Sequence, residues 1–140
     1  MEDIEVNRDR PKLLLVDDDS LLRDSIARTL STDYSVTTAG NGQAALELMQ
    51  QSECRWIIVT DNRMPLMSGL EFLQRALEMK EKVAGALVIS GDAEIKSASN
   101  KIADRFLTCG VPFLVLSKPF PKEDMFLLIA YIWKRSYETK

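Results

Sequence analysis

The sequence predicts a doubly wound α/β domain: a five-stranded parallel sheet with helices on both faces. Two observations lead there. Five short apolar runs alternate along the chain with five segments of helical pattern. The runs are apolar without alternation, the signature of parallel strands covered on both faces. A third observation concerns the strand ends. Four of the five runs end in a polar residue suited to binding, and in open α/β sheets ligands gather at the carboxyl ends of strands where the order reverses. The common order 2-1-3-4-5 puts that point between strands one and three.

The elements follow in turn. LLLV (13–16) is a short buried strand. Ser20 is placed to cap a helix over 21–30, where Leu22, Ile26 and Leu30 recur at a spacing of four. YSVTTA (34–39), rich in β-branched residues, is the second strand, and Asn41-Gly42 breaks it. QAALELMQ (43–50) consists of strong helix formers. WIIVT (56–60) is the third strand. Gly69 to Lys80 is the next helix, with Leu70, Leu73 and Leu77 on one face. ALVIS (86–90), a helix over roughly 92–108, VPFLVL (111–116) and a last helix over 122–135 complete the alternation. Residues 1–10 are a polar lead, 11–135 the single domain, and 136–140 a tail. No repeat, linker or low-complexity segment interrupts it.

Composition narrows the chemistry. A chain of 140 residues suits one domain with a full core. A net charge of −3 gives no footprint for direct nucleic-acid binding. Histidine is absent, which removes Ser-His and Cys-His catalysis and most zinc chemistry. Cys54 and Cys109 lack CxxC spacing and sit at apolar runs, so both are expected as buried, reduced thiols. The polar N-terminus carries no secretory pattern. The longest apolar run, Met125–Trp133, is far shorter than the roughly 20 residues of a membrane span, so the cytoplasm is expected.

The polar strand ends carry the functional argument. Strand one runs into Asp17-Asp18-Asp19, strand three ends in Asp61, strand four in Ser90, and strand five in Ser117-Lys118-Pro119. Adjacent carboxylates repel and raise one another's pKa unless a cation lies between them. Three carboxylates without histidine suit a hard, oxygen-seeking ion, and magnesium fits because it takes one or two carboxylates and keeps waters for a phosphorylated ligand. Lys118 adds a second positive charge, completing a clamp of the kind that holds a transferring phosphoryl group. A carboxylate is itself a competent nucleophile for that group.

LLLVDDDSLLR (13–23), VTDNRMPLMSGLEFL (59–73), VISGDA (88–93) and LSKPF (116–120) together resemble the receiver domain of two-component response regulators. The most specific piece is Asp61 followed by Met64-Pro65 and Gly69. The resemblance covers roughly residues 11–135 and implies a flavodoxin-like sheet. It implies Asp61 as phosphoacceptor, Asp18 as direct Mg²⁺ ligand, Asp17 acting through water, and the Arg63 backbone carbonyl as a third ligand position. It further implies Ser90 as the hydroxyl that reaches a phosphoryl oxygen, Lys118 as the neutralising cation, and Pro119 after a cis bond. Asp19 belongs to the loop and helix start, where negative charge is favourable in itself. Plainer readings stand beside these: Asp61 as a helix cap, Ser90 as a turn residue in Ser-Gly-Asp, and Lys118 as a solvated loop lysine.

Three features depart from the family pattern. The usual aromatic three residues before the lysine is Val115, with Phe113 on the same strand face as a stand-in. The segment between Ser90 and Lys118 is long, the excess lying in IKSASNKIADRFLTCG. Arg63 and Asp92 are opposite charges at positions that tune phosphoryl lifetime, and their pairing would make self-dephosphorylation slow. The last helix, MFLLIAYIW, is apolar all round; Phe126, Ile129, Ala130 and Trp133 are expected against the sheet, and the remainder under the fourth helix or in a protein contact.

The expected function is a phosphoacceptor switch, not an enzyme beyond its own phosphorylation and dephosphorylation. The implied partners are a histidine kinase or phosphotransfer protein, then a downstream protein target or effector domain. A homodimer through the fourth and fifth helices is included among them. No effector segment follows Lys140, so a protein contact is the expected output, from a stand-alone regulator or a piece of a longer chain. Two alternatives remain: an interaction module that is never phosphorylated, and a Mg²⁺-dependent aspartyl-nucleophile phosphatase of the haloacid dehalogenase type. The phosphatase wants an acid two residues after its nucleophile, where this chain has Arg63.

Overall fold

A computed structural model describes residues 10–91 and 95–138. The elements run β1 (Lys12–Val16), α1 (Ser20–Leu30), β2 (Ser35–Ala39), α2 (Gly42–Gln51), β3 (Trp56–Asp61), α3 (Gly69–Ala76), β4 (Val83–Ser90), α4 (Ile95–Cys109), β5 (Phe113–Ser117) and α5 (Lys122–Glu138). A 3-10 segment, Leu77–Lys82, continues α3. The sheet order is β2-β1-β3-β4-β5 and every pairing is parallel. The flavodoxin-like, doubly wound architecture is therefore as the sequence indicates.

Two apolar layers hold the helices to the sheet. On one face Leu14, Val16, Ile58, Ala86 and Val88 pack against Met49 of α2, Phe72 and Leu73 of α3, and Ile102 and Phe106 of α4. On the other, Leu13, Leu15, Ile57, Val59, Leu87 and Ile89 meet Leu30 of α1 and Met125, Ile129 and Ile132 of α5. The central strands β1, β3 and β4 are almost wholly buried, as period-free apolar runs require. The edge strand β5 is not: its residues are half-buried or exposed, and Val115 is 37% exposed.

Several local expectations are corrected. Asp19, not Ser20, caps α1, its carboxylate accepting from the Leu22 amide at 3.1 Å. An aspartate at that position satisfies an orphan amide and also sits at the positive end of the helix dipole. The helix from Gly69 tightens after Ala76, and Met79 leaves helical geometry (φ −117°, ψ 48°). β4 begins at Val83 rather than Ala86. A register shift lies opposite the Trp56–Ile57 step, so the strand includes Gly85, where a side chain would collide with Ile132. The buried stripe of α5 is Met125, Ile129, Ile132 and Ser136, with Phe126, Leu128 and Trp133 half-buried; Ala130, expected against the sheet, is exposed. α5 also runs to Glu138, beyond the 135 expected. Cys54 is half-buried and Cys109 exposed, and both are free, so the expectation of two buried thiols fails at Cys109. The long segment after Ser90 is largely helix, α4 being 15 residues.

Candidate functional site

β1 and β3 are neighbours in register, Val16 beside Thr60, so Asp17 and Asp61 leave the sheet side by side. The carboxylates of Asp17, Asp18 and Asp61 each offer an oxygen within 4.8 Å of the others. Asp17 and Asp61 are buried, each 7% exposed, and Asp18 is exposed. Burial, the dominant cause, pushes the Asp17 carboxyl above its ordinary value of 3.8. The amide of Asp19, donating to Asp17 Oδ1 at 3.0 Å, opposes this, and the negative charges of Asp61 and Asp18 reinforce it. A divalent ion beside Asp17 would offset that cost of its ionisation.

The opposite wall is built from β4 and β5. Ser90 and Ser117 are paired, and the Lys118 amide donates to the Ser90 carbonyl at 2.8 Å. Lys118 Nζ lies 2.9 Å from Asp61 Oδ1. The Lys118–Pro119 peptide bond is cis. Asp61, Asn62, Arg63, Ser90, Gly91 and Lys118 line a cavity of about 200 Å³. Ser90 is 5% exposed; Arg63 is exposed at the rim. Asp92 lies outside the described residues, and with it the expected Arg63–Asp92 pair.

The structure thus gathers Asp17, Asp18, Asp61, Ser90 and Lys118 from four separate segments, with Arg63 beside them. It also shows supports that the sequence reading passed over. Asn62 ties the end of β3 to its neighbours: its amide donates to the Ile89 carbonyl at 2.9 Å, its carbonyl accepts from Gly69 N at 2.9 Å, and its Oδ1 accepts from Leu70 N at 3.1 Å. Ser68 and Glu71 form a reciprocal capping box at the start of α3. Between Asn62 and Ser68 the chain turns through Leu66, fully exposed at φ 70°. The capping pattern S-x-x-E was readable in Ser68–Glu71. The role of Asn62 was not, because its partners are a strand away and eight residues on.

Comparison with known proteins shows the family. Residues 13–130 match the family described as the response regulator receiver domain. The chain belongs to that family. It is 31% identical over 115 residues to the response regulator receiver protein CpdR of Brucella abortus, covering 81% of this chain and 89% of CpdR. It is 40% identical over 72 residues to the two-component response regulator ORR3 of Oryza sativa subsp. japonica, covering 51% of this chain; the chain spans 55% of that relative's length. A response regulator receiver domain from Clostridium thermocellum superposes with a TM-score of 0.79 at 21% identity, covering 93% of this chain and 99% of the other, a likeness of fold. Receiver domains are signalling switches that interact with histidine kinases and effectors. Among the described residues no helix is long and apolar enough to cross a membrane.

Proposed function

We propose that this chain is a phosphoacceptor switch in which Asp61 takes a phosphoryl group from a histidine kinase or phosphotransfer protein. The observation that carries the reading is the placement of Asp61 between two carboxylates and an ammonium group. Asp17 and Asp18 converge on it from one side, making a seat for a cation, and Lys118 meets it from the other. Three carboxylates against one ammonium leave the site with a net charge of −2, too negative to welcome a phosphoryl group unaided. A bound Mg²⁺ would supply the missing positive charge for a phosphoryl group. Asp18, Asp61 and the Arg63 carbonyl would hold it, with Asp17 acting through water.

Each side chain then has a defined task. A carboxylate oxygen of Asp61 attacks phosphorus and forms an acyl phosphate. The donor's P–N bond breaks, and its electron pair stays on the imidazole nitrogen. Lys118 neutralises charge on the transferred group, and the Ser90 hydroxyl donates to one of its oxygens. The added charge and acceptors pull on the ends of β4 and β5 and so bias the loops and α4 toward a second state. The output is a protein contact, with a downstream target, an effector domain or a second copy through α4 and α5. Slow self-dephosphorylation is part of the proposal, as is a cytoplasmic setting.

Intact-mass spectrometry after incubation with Mg²⁺ and phosphoramidate or acetyl phosphate tests this. A Mg²⁺-dependent gain of one phosphoryl group, absent in Asp61→Asn, is expected. No gain, together with no beryllofluoride binding, overturns the reading in favour of a module that is never phosphorylated.

A further inference from the structure

We infer that Arg23 is a positioning residue for the acidic pair, acting through the peptide that joins Asp17 to Asp18. The inference rests on the reading that Asp17, Asp18 and Asp61 hold a divalent cation.

Arg23 lies one turn into α1, its amide bonded to the Asp19 carbonyl at 2.9 Å. Its side chain turns back over the β1–α1 loop, and Nη1 donates to the Asp17 carbonyl oxygen at 3.0 Å. That oxygen belongs to the planar unit ending at the Asp18 Cα, so holding it fixes the direction in which Asp18 leaves. The amide of Asp17 is anchored on its other side, donating to the Ala39 carbonyl at 3.1 Å, and its Oδ1 accepts from the Asp19 amide. Asp17 is thereby held at amide, carboxylate and carbonyl. The carbonyl is the point that controls the exposed ligand.

Two details make the arrangement specific. Arg23 Nε is buried and lacks a hydrogen-bond partner, and the Asp24 carboxylate oxygen at 3.7 Å is too distant to serve as one. Leaving a charged donor unsatisfied is unfavourable, so a chain free to choose would let this guanidinium swing to water. Gly40, at the end of β2, leaves the space it fills: a Cβ there would stand 3.2 Å from Arg23 Nη1. The guanidinium is therefore seated between two strand ends with one useful bond, made to the loop that carries the ligands.

Charge and position predict opposite signs for its removal. If Arg23 acted only as a positive charge near the site, Arg23→Ala would tighten cation binding. If it positions the pair, the same change weakens binding by about tenfold, in line with the loss of groups that orient metal ligands. The experiment is titration of the full chain with MgCl₂, followed by amide NMR shifts, alongside melting temperature. Arg28→Ala, an equal charge change on the exposed side of α1, should bind within about twofold of wild type, and Arg23→Lys should recover most of the loss. Gly40→Ala should weaken binding about two- to threefold by displacing Nη1, and should do nothing further when residue 23 is already Ala. Unchanged or tighter binding by a folded Arg23→Ala overturns the inference, as does a Gly40→Ala effect that persists without the guanidinium. Failure of the wild-type chain to bind Mg²⁺ at all would instead overturn the cation reading, and this inference with it.

Discussion

Gly69 offers the sharpest test of how this site is held. It is the first residue of α3, and its amide donates to the Asn62 carbonyl. A Cβ at that position would overlap the Asp61 carbonyl oxygen and stand 2.9 Å from Asn62 Cα and 3.1 Å from the Asp61 carbonyl carbon. All three are backbone atoms of the strand end that presents Asp61. None can rotate away as a side-chain tip can. The Asp61 carbonyl is further held by the buried Thr60 hydroxyl, which donates to it at 2.9 Å. Gly69→Ala must therefore part β3 from α3 by roughly half an ångström, an overpacking that costs about 1–3 kcal/mol. At this chain length that is a fall in Tm of about 3–10 °C. The same shift moves Asp61, the proposed nucleophile, and misplacement of about 1 Å costs about 100-fold in rate, so phosphorylation by phosphoramidate should slow by about 10- to 100-fold. Gly42→Ala is the control. Its Cβ would meet Met67 Sδ at 2.6 Å, a thioether end that can move aside, and Phe72 Cβ at 3.1 Å, and it touches no atom of the β3 end, so phosphorylation should keep the wild-type rate whatever the loss of stability. Gly69→Ala melting within 1 °C of wild type and phosphorylated at the wild-type rate would refute the reasoning.

Three further outcomes follow from the same contacts. The folded-state pKa of Asp17 is raised, so its stability contribution is fully present below the ordinary 3.8 and is lost as pH rises through the higher folded value. At pH 7 its ionisation is a cost, and Asp17→Asn should raise the Tm of the metal-free protein at pH 7, with the gain fading toward pH 4; a lower Tm at pH 7 would contradict this. In the proposed reading Lys118 competes with the cation for Asp61, so Lys118→Ala should bind Mg²⁺ several-fold more tightly while accumulating less phosphorylated product. Weaker Mg²⁺ binding would show that Lys118 organises the carboxylates instead. A Cβ at Gly85 would overlap Ile132 Cγ2 beneath α5, so Gly85→Ala should cost about 1–3 kcal/mol, and the double change with Ile132→Ala should cost less than the sum of the two in urea unfolding.

What the sequence disclosed is what short-range pattern encodes. Apolar runs such as WIIVT and ALVIS place β3 and β4, and the polar residues that end them place Asp61 and Ser90 at one edge, because a parallel sheet aligns its carboxyl ends. What it concealed depends on partners distant in sequence. Gly85 looks like a break before β4, yet it lies inside the strand because Ile132, 47 residues on, occupies its side-chain space. The phase of α5 was misjudged at Ala130 because nine apolar residues in a row carry no stripe to read. Arg23 resembles any surface arginine in a first helical turn until β2 brings Gly40 beneath it. Cys109, at the end of an apolar run, is exposed because α4 ends there, at Gly110 with φ 73°.

The departure at Val115 has a structural counterpart that bears on output. Residues 113, 115 and 117 of β5 face the α4 layer, and Leu114 and Leu116 face α5. At position 115 a valine, 37% exposed, has no ring to swing inward. The aromatic on that face is Phe113, and its ring packs against Phe106 of α4 with centroids 5.0 Å apart at 45°. Phe113 therefore joins β5 to α4 directly, four residues before the pair Ser90–Ser117 that abuts Lys118. In the proposed reading a pull at the Lys118 end of β5 reaches α4 through this contact without any rotation at 115. Phe113→Ala should cost about 2 kcal/mol, less than the loss for a fully buried ring because Phe113 is only half-buried. That is a fall in Tm of about 4–8 °C. Phosphorylation of Asp61 should proceed as in wild type, while the amide shifts of α4 induced by beryllofluoride and Mg²⁺ should shrink. A variant whose α4 responds in full would show that β5 and α4 are coupled by another route.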